Sequence, residues 1–193
     1  MRITVIGECG YEQALFGCGL SHGLTSGWEF RGETWPVERM VQVAHKLAHK
    51  DGGHNKLLES IVVWLDIEAP RYWWQEFDTY RVGTTKQSES TIHTMTKREL
   101  TVNDFEGVDV PTRHIEWLNS LIREKAWLEV KNNLPESFLQ RRIVCTNYKV
   151  LRNIVLQRRK HKLELWRDFV DHLLSQIVHP GLLPGQEAKE VEG

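Results

Sequence analysis

Three groups of residues in this chain have types and spacings that can do chemistry. The first is a stripe in which Asn147, Leu151, Ile154, Val155 and Arg158 fall on one face of a helix. A guanidinium on an apolar face is costly to bury alone, so Arg158 needs an anionic or carbonyl-bearing partner, either an internal carboxylate or a ligand. The second is Thr84-Thr85-Lys86-Gln87-Ser88-Glu89-Ser90-Thr91-Ile92-His93, which follows Arg81 closely. Its hydroxyls, amide, lysine and histidine, set against a single carboxylate, suit an oxyanion, although such composition also describes an ordinary polar loop. The third is His45, His49 and His54. Zinc proteases also space two histidines four apart, but they place a glutamate after the first, where this chain has Lys46. Counting about 100° per residue puts His45 and His49 on the flank of the apolar face, so they read as solvated side chains and no metal is expected.

These residues need elements to position them. Arg2 to Ile6 reads as a strand closed by Gly7 and Gly10, and residues 17–27 as a Gly/Ser loop or broken helix. After Pro36, the residues Val37, Met40, Val41, Ala44, Leu47 and Ala48 give a helix that Asp51-Gly52-Gly53 stops. Ser60 to Ile67 suits a strand buried on most of its surface. Pro70 opens a second helix carrying Trp73, Trp74, Phe77 and Tyr80. Residues 82–112 read as loop with short strands. A third helix runs from Ile115, Leu118 and Ile122 to Asn132-Asn133, before the break at Leu134-Pro135. A fourth starts near Asn147. A fifth carries Trp166, Phe169, Val170, Leu173, Leu174 and Ile177, and ends at His179-Pro180-Gly181. The expectation is one α/β domain over 1–180 and a polar flexible tail over 181–193.

The chain has 193 residues, 40% hydrophobic and 26% charged, with mean hydropathy −0.43, as a globular protein would. Its 25 Lys+Arg against 26 Asp+Glu give a net charge of −1, which argues against a general nucleic-acid coat. The basic run Arg158-Arg159-Lys160-His161-Lys162 is read first as a solvated helix face. No apolar stretch is long enough for a membrane span, and no signal peptide is evident. Cys9, Cys18 and Cys145 are odd in number and widely spaced, which fits reduced thiols and a cytoplasmic protein. Five of the eight tryptophans (Trp28, Trp35, Trp64, Trp73, Trp74) lie early in the chain, suggesting dense packing or an interface.

Taken in order, these pieces resemble the flavin-dependent thymidylate synthases. Those enzymes have a His with a Glu five residues on and then a strand, matched here by His54, Glu59 and residues 60–67. The family signature Arg-His-Arg-x-x-Ser-x-Asn-Glu-x-Ser-x-Arg registers with Arg81 as the first Arg, Glu89 as the Glu, Thr91 for the Ser and His93 for the last Arg. Leu134-Pro135, Asn147, Asn153 and Arg158 then keep the family's gaps. The resemblance covers roughly residues 37–175.

The resemblance implies helices packed on a small mixed sheet, assembled as a homotetramer with sites at subunit interfaces. It also implies FAD, a nicotinamide reductant such as NADPH, and one-carbon transfer from methylenetetrahydrofolate to dUMP. On that basis Arg158 would hold and polarise the pyrimidine, and Glu89 would orient the ribose or the loop. Arg81, Ser88, Ser90, Thr91, His93 and Lys131 would bind the rest of the nucleotide, chiefly its phosphate. His54, Arg81, Asn147 and Asn153 would contact the flavin. Asn153 lies about 160° around the helix from Arg158, so both faces would have to be covered. The chain departs from the pattern at Val82-Gly83, where the family has the His-Arg pair that helps hold the flavin pyrophosphate. It departs also at Lys86, Ser88 and Lys131, and the family's pocket Gln corresponds to Gln75 or Asp78. Weak flavin binding is therefore expected; Lys86 could restore one charge if its loop folds back, but a flexible ammonium does not replace a rigid guanidinium fork. A nucleotide-binding relative without flavin chemistry is the alternative, and an interaction protein using its tryptophans and basic run is a third reading.

Overall fold

The computed structural model describes residues 1–23, 38–95, 97–107 and 110–185. Ser26, Gly27, Trp28, Trp35, Pro36, Val37 and the tail from residue 186 lie outside the described residues. In chain order the elements are β1 (Arg2–Cys9), α1 (Tyr11–Leu20), α2 (Glu38–Ala48), a 3-10 segment (Gly52–Glu59), β2 (Val62–Pro70) and α3 (Arg71–Phe77). Then follow β3 (Thr85–Ser88), α4 (Thr91–Met95), a 3-10 turn (Val102–Asp104), α5 (Thr112–Arg123), α6 (Trp127–Asn133) and β4 (Leu139–Asn147). Last come α7 (Tyr148–Arg158), α8 (Glu164–Gln176) and a 3-10 turn (Pro180–Leu182). The strands form one sheet in the order β1-β2-β4-β3. All neighbours run antiparallel, so the sheet is not mixed. No helix of the described residues is long and apolar enough to cross a membrane.

Several elements differ from their sequence expectation for physical reasons. Tyr11–Leu20 is a continuous helix despite Gly17 and Gly19, because Ala14, Leu15 and Cys18 bury one side of it. β2 alternates: Val63, Leu65, Ile67 and Ala69 are fully buried, while Trp64 keeps 39% of its exposure, so only one face is covered. The expected third helix is two, α5 and α6, parted where Lys125 takes a left-handed φ of 59°. β4 went unread because Arg141-Arg142 interrupts its apolar run.

The chain divides into two compact units, neither of them a continuous stretch. The first comprises Met1–Ile3, Asp66–Arg81 and Lys86–Val144. One of its cores joins Leu100, Phe105, Leu118, Ile122, Val130 and Phe138. Arg98 and Thr101 hold Asp104, whose carboxylate closes a capping box on the turn 102–104. Trp73, Trp74 and Phe77 of α3 are fully buried in mutual ring contact, which accounts for part of the tryptophan excess without an interface.

The second unit comprises Thr4–Leu65, Val82–Thr85 and the chain from Cys145 onward. Its core includes Leu15, Met40, Leu58, Leu151, Trp166 and Phe169. Glu8 fastens its C-terminal segment: one carboxylate oxygen accepts from Val178 N–H (2.7 Å) and the other from the Tyr148 hydroxyl (2.6 Å). Tyr148 Oη in turn accepts from His179 N–H (3.1 Å), and the His179 ring stacks on Tyr11 at 3.4 Å. Leu182 and Leu183 are buried, so the polar tail begins beyond them rather than at residue 181. His45 and His49 are half-buried rather than solvated, and His49 Nε2 meets Gly181 O at 2.9 Å.

Burial, then the nearby His49, depresses the His45 pKa. Burial also depresses His179, with His45 adding to it against the opposing pull of Glu8 and Glu12. A histidine depressed in the folded state binds fewer protons there than in the unfolded chain, so stability is lost as pH falls through the ordinary value of 6.5. The urea midpoint should drop between about pH 7.5 and about pH 5.5, with a smaller drop in His45→Gln. A second check concerns Gly10, at φ 92°, where a Cβ would come within 2.3 Å of Ser60 O. Gly10→Ala should destabilise the protein by more than about 1 kcal/mol in denaturant unfolding.

Candidate functional site

The hydroxyl-rich stretch belongs to the first unit, apart from Thr84 and Thr85. It is built rather than irregular: β3 ends at Ser88, Glu89 N–H donates to Arg141 O (3.0 Å), and α4 begins at Thr91. Gln140 Nε2 also donates to Glu89 O at 3.2 Å. Glu89 and Thr91 are half-buried; Arg81, Ser88, Ser90 and His93 are exposed. α4 packs against α6, which carries the exposed Lys131, so the elements bearing Thr91, His93 and Lys131 come together. Glu89 and Thr94 line a small recess of about 70 Å³ with Arg98, Leu100 and Phe138.

Beside this stretch lies a cluster that sequence reading did not assemble. Asp78, just after α3, binds Lys86 (2.8 Å) and Arg142 (3.1 Å). Burial raises the Asp78 pKa, but hydrogen bonds and charge from Lys86 and Arg142 outweigh it and hold the carboxyl below its ordinary range. Lys86 is thus directed to Asp78. Gln75, the other candidate for the pocket amide, donates to Glu136 at 2.8 Å. The signal available beforehand was an acidic residue among aromatics, eight positions before a lysine, and it was too common to read.

In the second unit, Asn147 caps α7, its Oδ1 accepting from Val150 N–H at 3.0 Å. Its amide faces Gly83: a Cβ there would lie 2.9 Å from Asn147 Nδ2 and 3.2 Å from Val150 Cγ2. Gly83 has φ 69°, and its carbonyl accepts from Thr146 Oγ1 (3.2 Å), which also meets Thr84 Oγ1 (3.1 Å). The turn is thus pinned in a conformation that favours glycine. Val82 is 89% exposed and offers no donor.

Arg158 is half-buried at the end of α7. Its guanidinium lies 4.4 Å over Trp166, and Nη1 is 2.9 Å from His161 Nε2. The apolar face is thus covered by an aromatic ring. The buried arginine of the helix is Arg152, which sequence reading missed; it donates to Asp51 at 2.9 Å and to His49 O at 3.3 Å. Asn153 is exposed. His54 is exposed on the 3-10 segment, which packs against α7 through Lys149 and the buried Asn55. With Lys50, Lys56, Glu59, Ser21 and Cys18, His54 lines a cavity of about 740 Å³. Of the candidate residues, this cavity gathers His54 alone; Asn147, Asn153 and Arg158 do not line it.

The chain matches no protein-family model and no curated protein. It does match solved structures. A flavin-dependent thymidylate synthase from Helicobacter pylori, complexed with FAD and dUMP, is 18% identical and has TM-score 0.75 over 95% of this chain and 98% of that one. A second structure of that enzyme with FAD and dUMP gives 16% identity and TM-score 0.76 over 93% and 95%. A UMP/dUMP methylase from Streptomyces cacaoi bound with 5-Br dUMP gives 12% identity and TM-score 0.60 over 90% and 88%. The fold implied by the ordered motifs is therefore present, as an α/β chain with the flavin-dependent thymidylate synthase architecture.

The residues in hand do not fit the pyrophosphate of a FAD at the expected place. Val82 has no side-chain donor, and Gly83 is closed to a side chain by Asn147 and Val150, so the turn offers none of the side-chain donors that the family pair would supply. Grafting the family pair here is thus constrained on one side only. Val82→His should leave the melting temperature nearly unchanged. Gly83→Arg should lower stability by roughly 1 kcal/mol or more, because it forces a side chain into a left-handed backbone against a fixed cap.

Proposed function

We propose that this chain is a divergent flavin-dependent thymidylate synthase-like protein that binds dUMP or a close pyrimidine deoxynucleotide and acts in one-carbon transfer to it. The observation that carries this is the match, over nearly the whole chain, to the fold of a synthase complexed with FAD and dUMP. Retention of Arg81, Glu89, Thr91 and Arg158 at the family spacings supports it. Arg158, held over Trp166, orients the pyrimidine and polarises it by donating hydrogen bonds. Arg81, Ser88, Ser90, Thr91, His93 and Lys131 receive the phosphate and sugar, and Glu89 fixes the loop or the ribose. The reading carries with it methylenetetrahydrofolate as carbon donor, NADPH as reductant, and FAD contacting His54, Arg81, Asn147 and Asn153. It also carries a homotetramer, in which a second subunit covers the exposed Asn153 face of α7.

The closed turn at Gly83 favours a second reading, a relative that binds the nucleotide without flavin chemistry and serves as a sensor or sequestering protein. One measurement tests the nucleotide binding that both readings share, and a second separates them. Calorimetry with dUMP should give binding that Arg158→Ala weakens about ten- to a hundredfold, the worth of a charge-assisted hydrogen bond. Equal affinity in both proteins would remove Arg158 from the site. A protein that purifies at least partly colourless should retain flavin absorbance after incubation with FAD and removal of the free flavin by gel filtration, and activity should depend on the added flavin. No FAD uptake beside intact dUMP binding would select the second reading. Light scattering giving a monomer mass at micromolar concentration would overturn the shared-site arrangement.

A further inference from the structure

Asp78 faces two cations. Lys86 Nζ lies 2.8 Å and Arg142 Nη1 3.1 Å from the same oxygen, Asp78 Oδ1. The lysine and arginine side chains keep only 17% and 15% of their exposure, whereas Asp78 keeps 45%. One half-exposed carboxylate therefore serves two largely desolvated cations, and the cluster holds a surplus positive charge. Among the described residues no second carboxylate pairs with either cation. Arg142 lies 4.4 Å over Trp74 and donates to Gln140 Oε1, and Lys86 lies 5.7 Å over Phe77. Aromatic faces and an amide attract a cation without cancelling its charge. Surplus charge removed from water is costly unless an anion arrives to meet it.

The surplus sits next to groups suited to an oxyanion. Side chains two apart on a strand share a face, so Lys86 and Ser88 project together from β3, as Gln140 and Arg142 do from the adjacent β4. Gln140 is bonded to Glu89 O, which ties the cationic pair to the segment Ser88–Thr91. We infer that Lys86 and Arg142 form the counter-charge of a phosphomonoester-binding subsite, with Asp78 as the built-in anion that an incoming phosphate displaces. The subsite deepens the nucleotide reading and rests on it for what bears the phosphate. Neither cation belongs to the phosphate set that the family resemblance implies. A rigid guanidinium fork and a mobile ammonium on one oxyanion give both geometry and charge.

The full chain supplies the test, with inorganic phosphate, dUMP and deoxyuridine as probes and Lys86→Met and Asp78→Asn as variants. Phosphate should raise the melting temperature of the wild type above that in chloride of equal ionic strength, and should not do so in Lys86→Met. Lys86→Met should bind dUMP about tenfold more weakly or worse, with deoxyuridine binding unchanged. Asp78→Asn should bind phosphate more tightly than the wild type, since a competing anion is gone. The inference is overturned if phosphate acts on the wild type no more than chloride does, or if Lys86→Met responds as the wild type does. If Lys86→Met does not fold, Asp78→Asn decides: tighter phosphate supports the subsite, and unchanged or weaker phosphate overturns it. Lys86-dependent phosphate binding with dUMP no tighter than phosphate leaves the subsite standing and removes the nucleotide reading. Tight dUMP binding indifferent to Lys86→Met does the reverse.

Discussion

Strand β4 passes into helix α7 without an intervening residue, and the second unit is organised around that junction. A strand has its carbonyls and amides directed sideways; a helix needs its first amides satisfied along its axis. Asn147 makes the conversion by capping α7 with its side chain while its backbone remains extended at φ −139°. Tyr148 N–H then donates to Ile61 O at 3.0 Å, and Thr146 braces the turn at Gly83 and Thr84. The cap leaves no room for a Cβ at Gly83, so a residue far away in sequence is dictated by a helix terminus. The same geometry that lets α7 start excludes a side chain at Gly83 in the turn facing it.

Arginine placement follows a second rule in both units. Arg142 and Arg158 each lie 4.4 Å over a fully buried tryptophan, Trp74 and Trp166. Arg152 takes the other solution, an exposed carboxylate and a backbone carbonyl, although its Nε finds no partner among the described residues. These tryptophans serve within the chain as covers for guanidinium groups and as core. Their number alone therefore says little about subunit contacts; among the described residues Trp64 and Trp117, 39% and 42% exposed, are the ones with surface to give.

The strongly periodic elements were legible in the sequence. α8 buries the residues its spacing selects, α2 buries Met40, Ala44 and Ala48 with Val41 and Leu47 half-buried, and Pro70 does precede a Trp-rich helix. β4 was not legible, since an isolated Arg-Arg reads as surface: Arg141 pairs outward with Asp66 at 2.6 Å, and Arg142 is sheltered by an aromatic ring from a distant segment. α1 was hidden by its glycines, whose cost is offset by burial that no local pattern reveals. For the site, the order and gaps of Arg81, Glu89, Asn147 and Arg158 pointed to the fold that the backbone has. The pairing of Asp78 with Lys86 and Arg142 depends on three elements meeting, and nothing in the spacing of any one of them encodes it.

Glu8 and Val178 are joined by a hydrogen bond across 170 positions of sequence. During vectorial synthesis β1 leaves the ribosome well before the two residues that its carboxylate binds among the described residues, Tyr148 and then Val178. Closing so long a loop is entropically unfavourable until the intervening contacts exist. An early strand whose polar groups wait for the last helix is also the stretch most open to mispairing in the nascent state. The C-terminal segment thus works as a late fastener, and its docking marks the completion of the second unit rather than its beginning.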